Sequence, residues 1–586
     1  MRENTAVHLA LILAVAFALF FLDLGALPFY SHGEPREALE VWDMIHRGEW
    51  ILPLRNGLEL PSKPPLFHWL GALAAMATGS VDELSTRLPS ALAATLTALA
   101  VYWRARRFGA AAGLFAAVIV MTNFELIRAA RSARVDMVLT GCLTGAFLAL
   151  EAAVTRPAPS RASLVALYAF TTLAALAKGP VGVALPALTA LAWIVVTREP
   201  RLLRELRPLL GGAAVLLVAG SWYVLAIVFG GDAFVKKQLL FENLDRFVGV
   251  EDGGVNQSHP FYYYVQGIAT GFAPWSIFLV PLAISLYRAR GTIGGQPVRF
   301  LLLCFAVVFA FYSAAAGKRT VYILSLYPLM AILLGAWWAE LSARSFELPR
   351  AAARALSALS MVLAALLLVV LLFFLCEAMG FPLLDTIAPL LHRRDRENLP
   401  MVRMLLRTNV PILLAWLAAL AAFATLLVAG ARRGRWPWIF AAAAGLVISA
   451  TLVTNHVFHP HLAAERSFKR FAQHVAGLGA DSDLRFYRTW DYGVVFYLGR
   501  RVPVVAPEQF RTWAPERDGY LLIFEDDWNT LTGSAPDPVD GTPPPAAGGA
   551  GGPPLELLER SAETGHQGKT RLLLARFSAA GAPSRR

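Results

Sequence analysis

Long apolar runs recur along the whole chain and constrain what it can fold into. Thirteen of them approach or exceed the length needed to cross a hydrocarbon core of about 30 Å. They lie near residues 7–29, 85–103, 109–126, 137–154, 163–177, 180–197, 209–229, 266–287, 298–316, 320–341, 355–378, 409–429 and 436–457. Of the 586 residues, 56% are hydrophobic and 16% charged, whereas soluble domains contain about 25% charged residues. The sequence therefore predicts a polytopic α-helical membrane protein with about 13 transmembrane helices.

The charges between these runs predict the orientation. Basic residues favour the cytoplasmic side of a membrane, and with a cytoplasmic N-terminus every short inner loop carries arginine. The apolar run 66–79 is not counted as a span, because at about 1.5 Å per residue it reaches only about 21 Å. We expect it to form a helix at the outer face. An odd number of spans then delivers the C-terminal region to the outside.

The composition changes after about residue 460. The runs 484–487, 494–498, 502–505 and 520–525 predict strands, 571–577 predicts a further strand, and 467–478 predicts an amphipathic helix. The Pro-, Gly- and Ala-rich stretch 534–554 predicts a flexible linker. We predict a transmembrane domain over residues 1–460, with a first external loop over 30–84, and a small C-terminal α/β domain over 461–586.

Several function classes find no support in the sequence. The net charge of +12 is spread over short loops, so anionic lipid or a phosphate-bearing substrate explains it better than nucleic acid does. The three cysteines, Cys142, Cys304 and Cys376, lie in apolar runs without CxxC spacing and predict neither disulfides nor a thiolate metal site. We find no convincing nucleotide-binding fingerprint, which argues against an ATP-driven pump.

The first external loop concentrates charged residues, among them Glu34, Glu37 and Lys63. Charges at a bilayer surface are costly unless water, a partner or a ligand compensates them. Glu34 is a candidate for acid–base chemistry, since a partly desolvated carboxylate suits proton transfer. Lys63 precedes Pro64–Pro65, whose restricted backbone would hold the ammonium in place for a phosphate. The alternatives are pairing of Glu34 with Arg36 and interfacial snorkelling of Lys63.

Further polar residues lie near the predicted outer ends of later spans. Arg131, Arg246, Lys318 and Arg319 predict a convergent cationic site for phosphate, with independent snorkelling as the alternative. Asp136 could orient Lys63 or an arginine, or help place an acceptor; the alternative is a carboxylate stabilised by its helix dipole.

Four tyrosines near the same ends are candidates for lining a substrate path. They are Tyr262, Tyr263, Tyr322 and Tyr327. An interfacial aromatic belt is the alternative interpretation for each of them.

A series of ordered motifs covers residues 30–330. They occupy residues 33–38, 48–53, 56–57, 63–69, 85–90, 130–137, 176–180, 242–247, 259–264, 271–276 and 318–328. Together they resemble the polyprenyl-phosphate-dependent glycosyltransferases of GT-C type, the family of the lipid A aminoarabinose transferase and, more distantly, of the protein O-mannosyltransferases.

The resemblance implies an activity and a location. The activity is transfer of a sugar from an undecaprenyl-phosphate carrier to a lipid, glycan or protein acceptor, with inversion at the anomeric carbon and lipid A as one candidate acceptor. The location is the periplasmic side of a bacterial inner membrane. Family members usually carry an Asp–Glu pair in the first loop, with the Asp as favoured base. Here Gly33 stands at the Asp position, which leaves Glu34, or Glu37 as a shifted acid.

The sequence leaves a metal cofactor and two other functions open. No cofactor is certain and the metal ligands are unknown, although a divalent metal ion near the carrier phosphate is allowed. The rival functions are a transporter or flippase for lipid-linked glycans, which predicts charges in mid-span and internal repeats, and a non-catalytic relative, because of Gly33.

Overall fold

A computed structural model describes residues 5–245, 259–288, 295–343, 349–391, 396, 398–478, 482–533, 553–565 and 570–579. Most of these residues are helical. The first eleven α-helices are α1 (Thr5–Ala16), α2 (Gly33–Arg47), α3 (Leu66–Thr78), α4 (Glu83–Ala105), α5 (Ala110–Met121), α6 (Phe124–Ala130), α7 (Val135–Val154), α8 (Arg161–Lys178), α9 (Val181–Thr197), α10 (Leu202–Glu205) and α11 (Pro208–Phe234).

The remaining helices continue to the C-terminal region. The α-helices are Tyr263–Gly271, Leu279–Arg288, Gln296–Ala314, Tyr327–Ala343, Arg350–Ala378, Leu383–Ile387, Leu399–Thr408, Val410–Arg433, Trp436–Val453, His459–Arg466, Lys469–Ala476, Tyr492–Leu498, Pro507–Phe510 and Glu525–Thr532. Short 3₁₀ segments are Arg106–Phe108, Trp275–Phe278, Thr320–Leu326 and Ala388–Leu390, and π-helical segments are Phe17–Phe21, Val235–Asp245 and Thr454–Phe458.

The predicted multi-pass membrane architecture is confirmed. Within the described residues, eight helices are long and apolar enough to cross a membrane, or up to ten if each of two bent helix pairs is one span. The bent pairs are Ala110–Met121 with Phe124–Ala130 and Tyr263–Gly271 with Trp275–Tyr287. The other three predicted spans also lie on helices: Thr5–Phe21 and Val181–Thr197 are shorter, and α8 is less apolar. The run 66–79 forms the short apolar helix α3, as expected.

The chain forms two compact units. The first unit comprises Met1–Leu24, Ser62–Leu70 and Arg87–Phe458, and the second comprises Gly25–Pro61, Gly71–Thr86 and His459–Arg586. In the first unit, α7 packs against α8 and α5 packs against the helix Tyr327–Ala343. In the second unit, α2 packs against the helix Tyr492–Leu498. Much of the first external loop therefore shares a unit with the C-terminal residues.

A five-stranded mixed sheet lies in the second unit. Its strands are β1 (Asp483–Tyr487), β2 (Val504–Val505), β3 (Gly519–Phe524), β4 (Leu555–Arg560) and β5 (Leu572–Phe577), in the order β2-β1-β3-β5-β4. β1 is parallel to β2 and β3, whereas β5 is antiparallel to β3 and β4. Buried Leu521, Ile523, Leu573 and Phe577 form part of its core. The predicted C-terminal α/β fold is thus confirmed.

Two elements of this region differ from the prediction. The strand predicted over 494–498 is wrong, because these residues belong to the helix Tyr492–Leu498. Asp491 accepts a hydrogen bond from the Val494 amide at that helix's start, and Gly499 takes the left-handed conformation at its end. β4 was not predicted at all. Residues 534–552 of the predicted linker lie outside the described residues.

Candidate functional site

Four carboxylates recur every third residue along α2. Glu34, Glu37, Glu40 and Asp43 are between 0% and 5% exposed, although ionised carboxylates are rarely buried without partners. We call these four residues the acidic face, which winds about half-way around the helix from Glu34 to Asp43 because an α-helix has about 3.6 residues per turn. α2 lies inside the predicted first external loop, so a segment expected as a loop contains a 15-residue helix.

The two predicted acids on this helix have different environments. Arg36 donates two hydrogen bonds to Oε1 of Glu37, at 3.1 Å from Nε and 2.7 Å from Nη2. The Glu37 carboxylate raises the pKa of the Arg36 guanidinium against the opposing effect of burial. The Ser31 hydroxyl lies 3.3 Å from Oε2 of Glu34 and donates to it. Arg36 therefore pairs with Glu37, where the sequence left pairing with Glu34 open.

Arginines also hold the rest of the acidic face. Arg55 is fully buried and donates to both Glu40 and Glu59. Burial acts to lower the pKa of Arg55, but the nearby carboxylates, Glu40 first, outweigh it and raise that pKa. Arg501 donates to Oδ1 of Asp43 at 2.7 Å, and the Leu54 amide donates to Oδ2 at 2.8 Å. Each of these carboxylates is thus fixed by a defined donor.

The first unit contains a separate group of paired charges. Lys63 donates to Oε2 of Glu242 at 2.6 Å, and both side chains are mostly buried. Lys178, at the end of α8, forms an ion pair with Asp136 in the first turn of α7. We call these four residues, with Arg134, the cationic cluster, since Arg134 and Lys63 also act electrostatically on Asp136. Three cations face two carboxylates in this group.

An aromatic side chain completes the surroundings of Lys178. Its ammonium lies 4.3 Å from the centroid of the Tyr322 ring, within the range of a cation–π interaction. Asp136 therefore forms an ion pair with Lys178, where the sequence suggested Lys63 or an arginine.

The other predicted phosphate-binding residues have mixed surroundings. Arg131 donates to the carbonyls of Leu19 and Leu22. Lys318 is buried and donates to the Ala315 carbonyl at 2.7 Å, while Arg319 is exposed. Arg246 lies outside the described residues. Binding of phosphate by these four residues stays a prediction.

The four predicted lining tyrosines are not equivalent. Tyr327 is fully buried, and its hydroxyl donates to the Gly267 carbonyl. Tyr262 is 58% exposed, and the Tyr263 ring stacks on His259 with centroids 4.2 Å apart. Tyr322 contacts Lys178, as described above. A lining role stays a prediction for each of them.

Sequence reasoning missed most of the partners. Arg55, Asp43, Tyr492 and Arg501 were not singled out, nor was the pairing of Lys63 with Glu242. The regular spacing of acids from Glu34 to Asp43 was the available signal. Partners far away in the chain leave no such signal, because their pairing depends on tertiary structure.

Comparison with known proteins gives the family context. Residues 62–236 match the family described as dolichyl-phosphate-mannose-protein mannosyltransferase. This stretch contains Lys63, Asp136 and Lys178 but not α2. The chain is 30% identical over 334 residues to an undecaprenyl phosphate-alpha-4-amino-4-deoxy-L-arabinose arabinosyl transferase from Edwardsiella ictaluri, covering 56% of this chain and 58% of that protein. The resemblance to this family is confirmed.

A further sequence and a solved structure are also similar to this chain. An uncharacterised protein from Aquifex aeolicus is 29% identical over 326 residues, covering 55% of this chain and 62% of that protein. The matches thus span less than two thirds of these relatives' own lengths. The crystal structure of ArnT from Cupriavidus metallidurans bound to undecaprenyl phosphate has a TM-score of 0.73 at 21% identity, over 99% of this chain and 100% of that one. The whole chain therefore shares the ArnT fold.

Proposed function

We propose that this chain is an inverting glycosyltransferase that moves a sugar from a polyprenyl phosphate carrier to an acceptor on the periplasmic side. The observation that carries the proposal is the buried acidic face of α2, in a chain with the ArnT fold. The names of its relatives support undecaprenyl phosphate as the carrier and aminoarabinose as one candidate sugar. Lipid A is one candidate acceptor.

In the proposed reaction, an acceptor hydroxyl attacks the anomeric carbon from the face opposite the phosphate. The new bond joins the acceptor oxygen to this carbon, and the bond between the carbon and the phosphate oxygen breaks. The hydroxyl proton passes to a carboxylate, and the electron pair of the broken bond leaves with the carrier phosphate. The protein must therefore supply a base and positive charge for the leaving group.

Glu34 is the proposed base. The arginine that donates twice to Glu37 already compensates that carboxylate and makes it the weaker proton acceptor. Glu34 lies in the first turn of α2 and interacts with the neutral Ser31 hydroxyl. The double hydrogen bond from Arg36 to Glu37 supports Glu34 as the base, with Glu37 lining the sugar position.

Lys63 is the proposed first ligand of the carrier phosphate. Lysine is a compact point charge on a flexible stem, so its ammonium can exchange the Glu242 carboxylate for a phosphate oxygen. Arg131, Arg246, Lys318 and Arg319 are the further proposed ligands. Asp136 acts in this proposal by orienting Lys178, and Tyr262, Tyr263, Tyr322 and Tyr327 line the lipid or sugar path.

A turnover assay tests the proposal. The purified protein in nanodiscs is given undecaprenyl phosphate carrying aminoarabinose, mannose or another pentose or hexose, with lipid A as acceptor. Release of undecaprenyl phosphate that depends on acceptor, and a product of inverted anomeric configuration, are expected. Movement of intact donor across the bilayer without cleavage would instead identify a flippase. If the donor is neither cleaved nor moved, the protein is a non-catalytic relative.

The same assay addresses the metal and the topology. We propose that lysines and arginines stabilise the phosphate without a resident metal, so turnover should persist in EDTA. A divalent ion beside the carrier phosphate would instead make EDTA inhibitory and added Mg²⁺ restorative. For the topology, we propose a cytoplasmic N-terminus and a periplasmic C-terminal domain, so a C-terminal tag should be cleaved by protease in spheroplasts while an N-terminal tag is protected.

A further inference from the structure

A tight turn in the first external loop makes specific contacts with the C-terminal residues of the same unit. Arg55 and Glu59 form an antiparallel bridge, and the Leu58 amide donates to the Arg55 carbonyl at 3.0 Å. The turn residues Asn56 and Gly57 have φ values of 51° and 71°, which asparagine and glycine tolerate best. Asn56 and Gly57 are therefore the central residues of a β-turn within a three-residue loop, 56–58, that joins the two bridge partners.

The side chain of Asn56 attaches this turn to the backbone of Val502. The Asn56 amide group donates to the Val502 carbonyl at 2.8 Å and accepts from the Val502 amide at 2.7 Å. The pair imitates one rung of a β-ladder and is buried. A Cβ atom at Gly57 would lie 2.8 Å from Cδ of Arg501, so only glycine fits there without displacing the arginine.

A chain of hydrogen bonds runs from this region to α2. The Tyr492 hydroxyl donates to Oε2 of Glu59 at 2.7 Å. Arg55 joins Glu59 to Glu40 on the acidic face. Burial has the largest effect on the pKa of Tyr492 and raises it, and the hydrogen bond to Glu59 raises it further. The hydroxyl therefore stays protonated and remains a donor at neutral pH.

Two further contacts act directly on α2. The Tyr492 ring meets the His32 ring edge to face with centroids 4.8 Å apart, and His32 immediately precedes the first residue of α2. Arg501 holds Asp43 on the last part of the helix. Residues 492–502 thus contact both ends of the helix that carries the acidic face.

We propose that Asn56, Tyr492 and Arg501 are positioning residues, through which the C-terminal residues hold the acidic face of α2 in register for proton transfer. The inference rests on the proposed function, because it assumes that Glu34 accepts a proton. Displacement of a catalytic group by about 1 Å can cost about 10²-fold in rate. A helix held by the ring contact of Tyr492 with His32 at its start and by the ion pair of Arg501 with Asp43 near its end resists such displacement.

The substitution Tyr492→Phe tests the proposal, since it keeps the ring against His32 and removes only the hydroxyl. We expect kcat to fall about 10-fold, because a hydrogen bond to a charged group is lost, while KM for the donor stays unchanged. Tyr520→Phe is the matched control: Tyr520 lies on β3 in the same unit and should leave kcat at the wild-type value. Thermal melting verifies that both variants are folded.

A double-mutant cycle with Glu59→Gln separates positioning from general destabilisation. Both single changes weaken the same bond, so the double variant should lose no more than the more affected single variant. Asn56→Asp, which keeps the turn but removes the donor to Val502, should also lower kcat at unchanged KM. Wild-type kcat in Tyr492→Phe, additive losses in the cycle, or an equal loss in Tyr520→Phe would overturn the proposal.

Hydrogen exchange provides a readout that does not depend on turnover. In Tyr492→Phe the backbone amides of residues 33–47 should exchange several-fold faster than in the wild type, whereas Tyr520→Phe should not change them. Unchanged exchange in α2 would contradict the inference. If the wild-type protein cleaves no donor, the proposed function fails, while this measurement still decides whether the C-terminal residues hold α2.

Discussion

The acidic face and the cationic cluster show two ways of burying charge. On the acidic face, Arg36 and Arg55 hold carboxylates through several hydrogen bonds each. In the cationic cluster, Lys63 pairs with Glu242 and Lys178 pairs with Asp136. Arginine presents a rigid planar fork, whereas lysine is a point charge on a flexible stem. Arginine therefore fixes the acidic face, while lysine leaves the cationic cluster able to exchange partners.

This difference agrees with the proposed division of labour. A general base works only if the helix that carries it is held in place, because proton transfer requires hydrogen-bond geometry, and the arginines hold α2 through Glu37, Glu40 and Asp43. A group that binds the phosphate of each new donor must release its resting partner and regain it after turnover. Substitutions in each group test whether the two groups differ in this way.

The largest effect is expected for Glu34→Gln, which removes the proposed base while preserving the size of the side chain. We expect kcat to fall about 10³-fold, as is typical for loss of a general base. Glu37→Gln should lower kcat much less, and Glu516→Gln, at an exposed loop position, should have no effect. Equal losses in Glu34→Gln and Glu37→Gln would remove the distinction between the two acids.

Lys63→Ala should have the next largest effect. Loss of one preorganised cation at a developing negative charge costs about 10²-fold in turnover. The release of undecaprenyl phosphate from the sugar donor measures this loss. Lys236→Ala, at an exposed position of the first unit, is the control and should retain activity; a wild-type rate in Lys63→Ala would exclude Lys63 as a phosphate ligand.

Reciprocal conservative changes compare the two groups directly. Arg55→Lys should lower kcat about 10-fold, because one ammonium cannot reproduce the hydrogen bonds of a guanidinium to two carboxylates. Lys63→Arg should change kcat by less than about 3-fold, since a guanidinium also binds phosphate. Steady-state kinetics of the two variants measure both effects, and the opposite ranking would contradict the comparison.

A small effect, on KM and not on kcat, is expected for Glu242→Gln. In the resting protein this carboxylate competes with phosphate for Lys63, so its neutralisation should lower KM for the donor about 3-fold, because an ammonium bonds a neutral amide more weakly than a carboxylate. A titration of turnover against donor concentration measures the change. A raised KM would indicate that Glu242 positions Lys63 instead of competing for it.

The membrane fold was predictable because hydropathy is a local property of the chain. Each of the thirteen apolar runs lies on a helix, and two of them bend sharply within the bilayer-length segment, by 70° and 110°. The C-terminal α/β fold was also predictable, yet 494–498 is helical and β4 was missed. Short apolar runs carry no period that separates strand from helix, and only the caps at Asp491 and Gly499 distinguish the two.

The candidate site was predictable only in its residue types. The motifs around Glu34 and Lys63 indicated a base and a phosphate ligand, and both roles stay predictions. Their observed partners, such as Ser31 for Glu34 and Glu242 for Lys63, could not be assigned from spacing. Lys63 and Glu242 are separated by 179 residues, and Tyr492 and Glu59 by 433.

The sequence by itself determined that the chain crosses a membrane many times, that an acidic segment follows the first span, and that an α/β region follows the last. These features depend on hydropathy and local pattern, which the neighbouring residues supply. Only the tertiary structure decided which arginine neutralises which carboxylate, and that the Asn56–Gly57 turn is held by residues 501–502. Such pairings join distant parts of the chain, because a buried charge is stable only where folding brings a donor within hydrogen-bond distance.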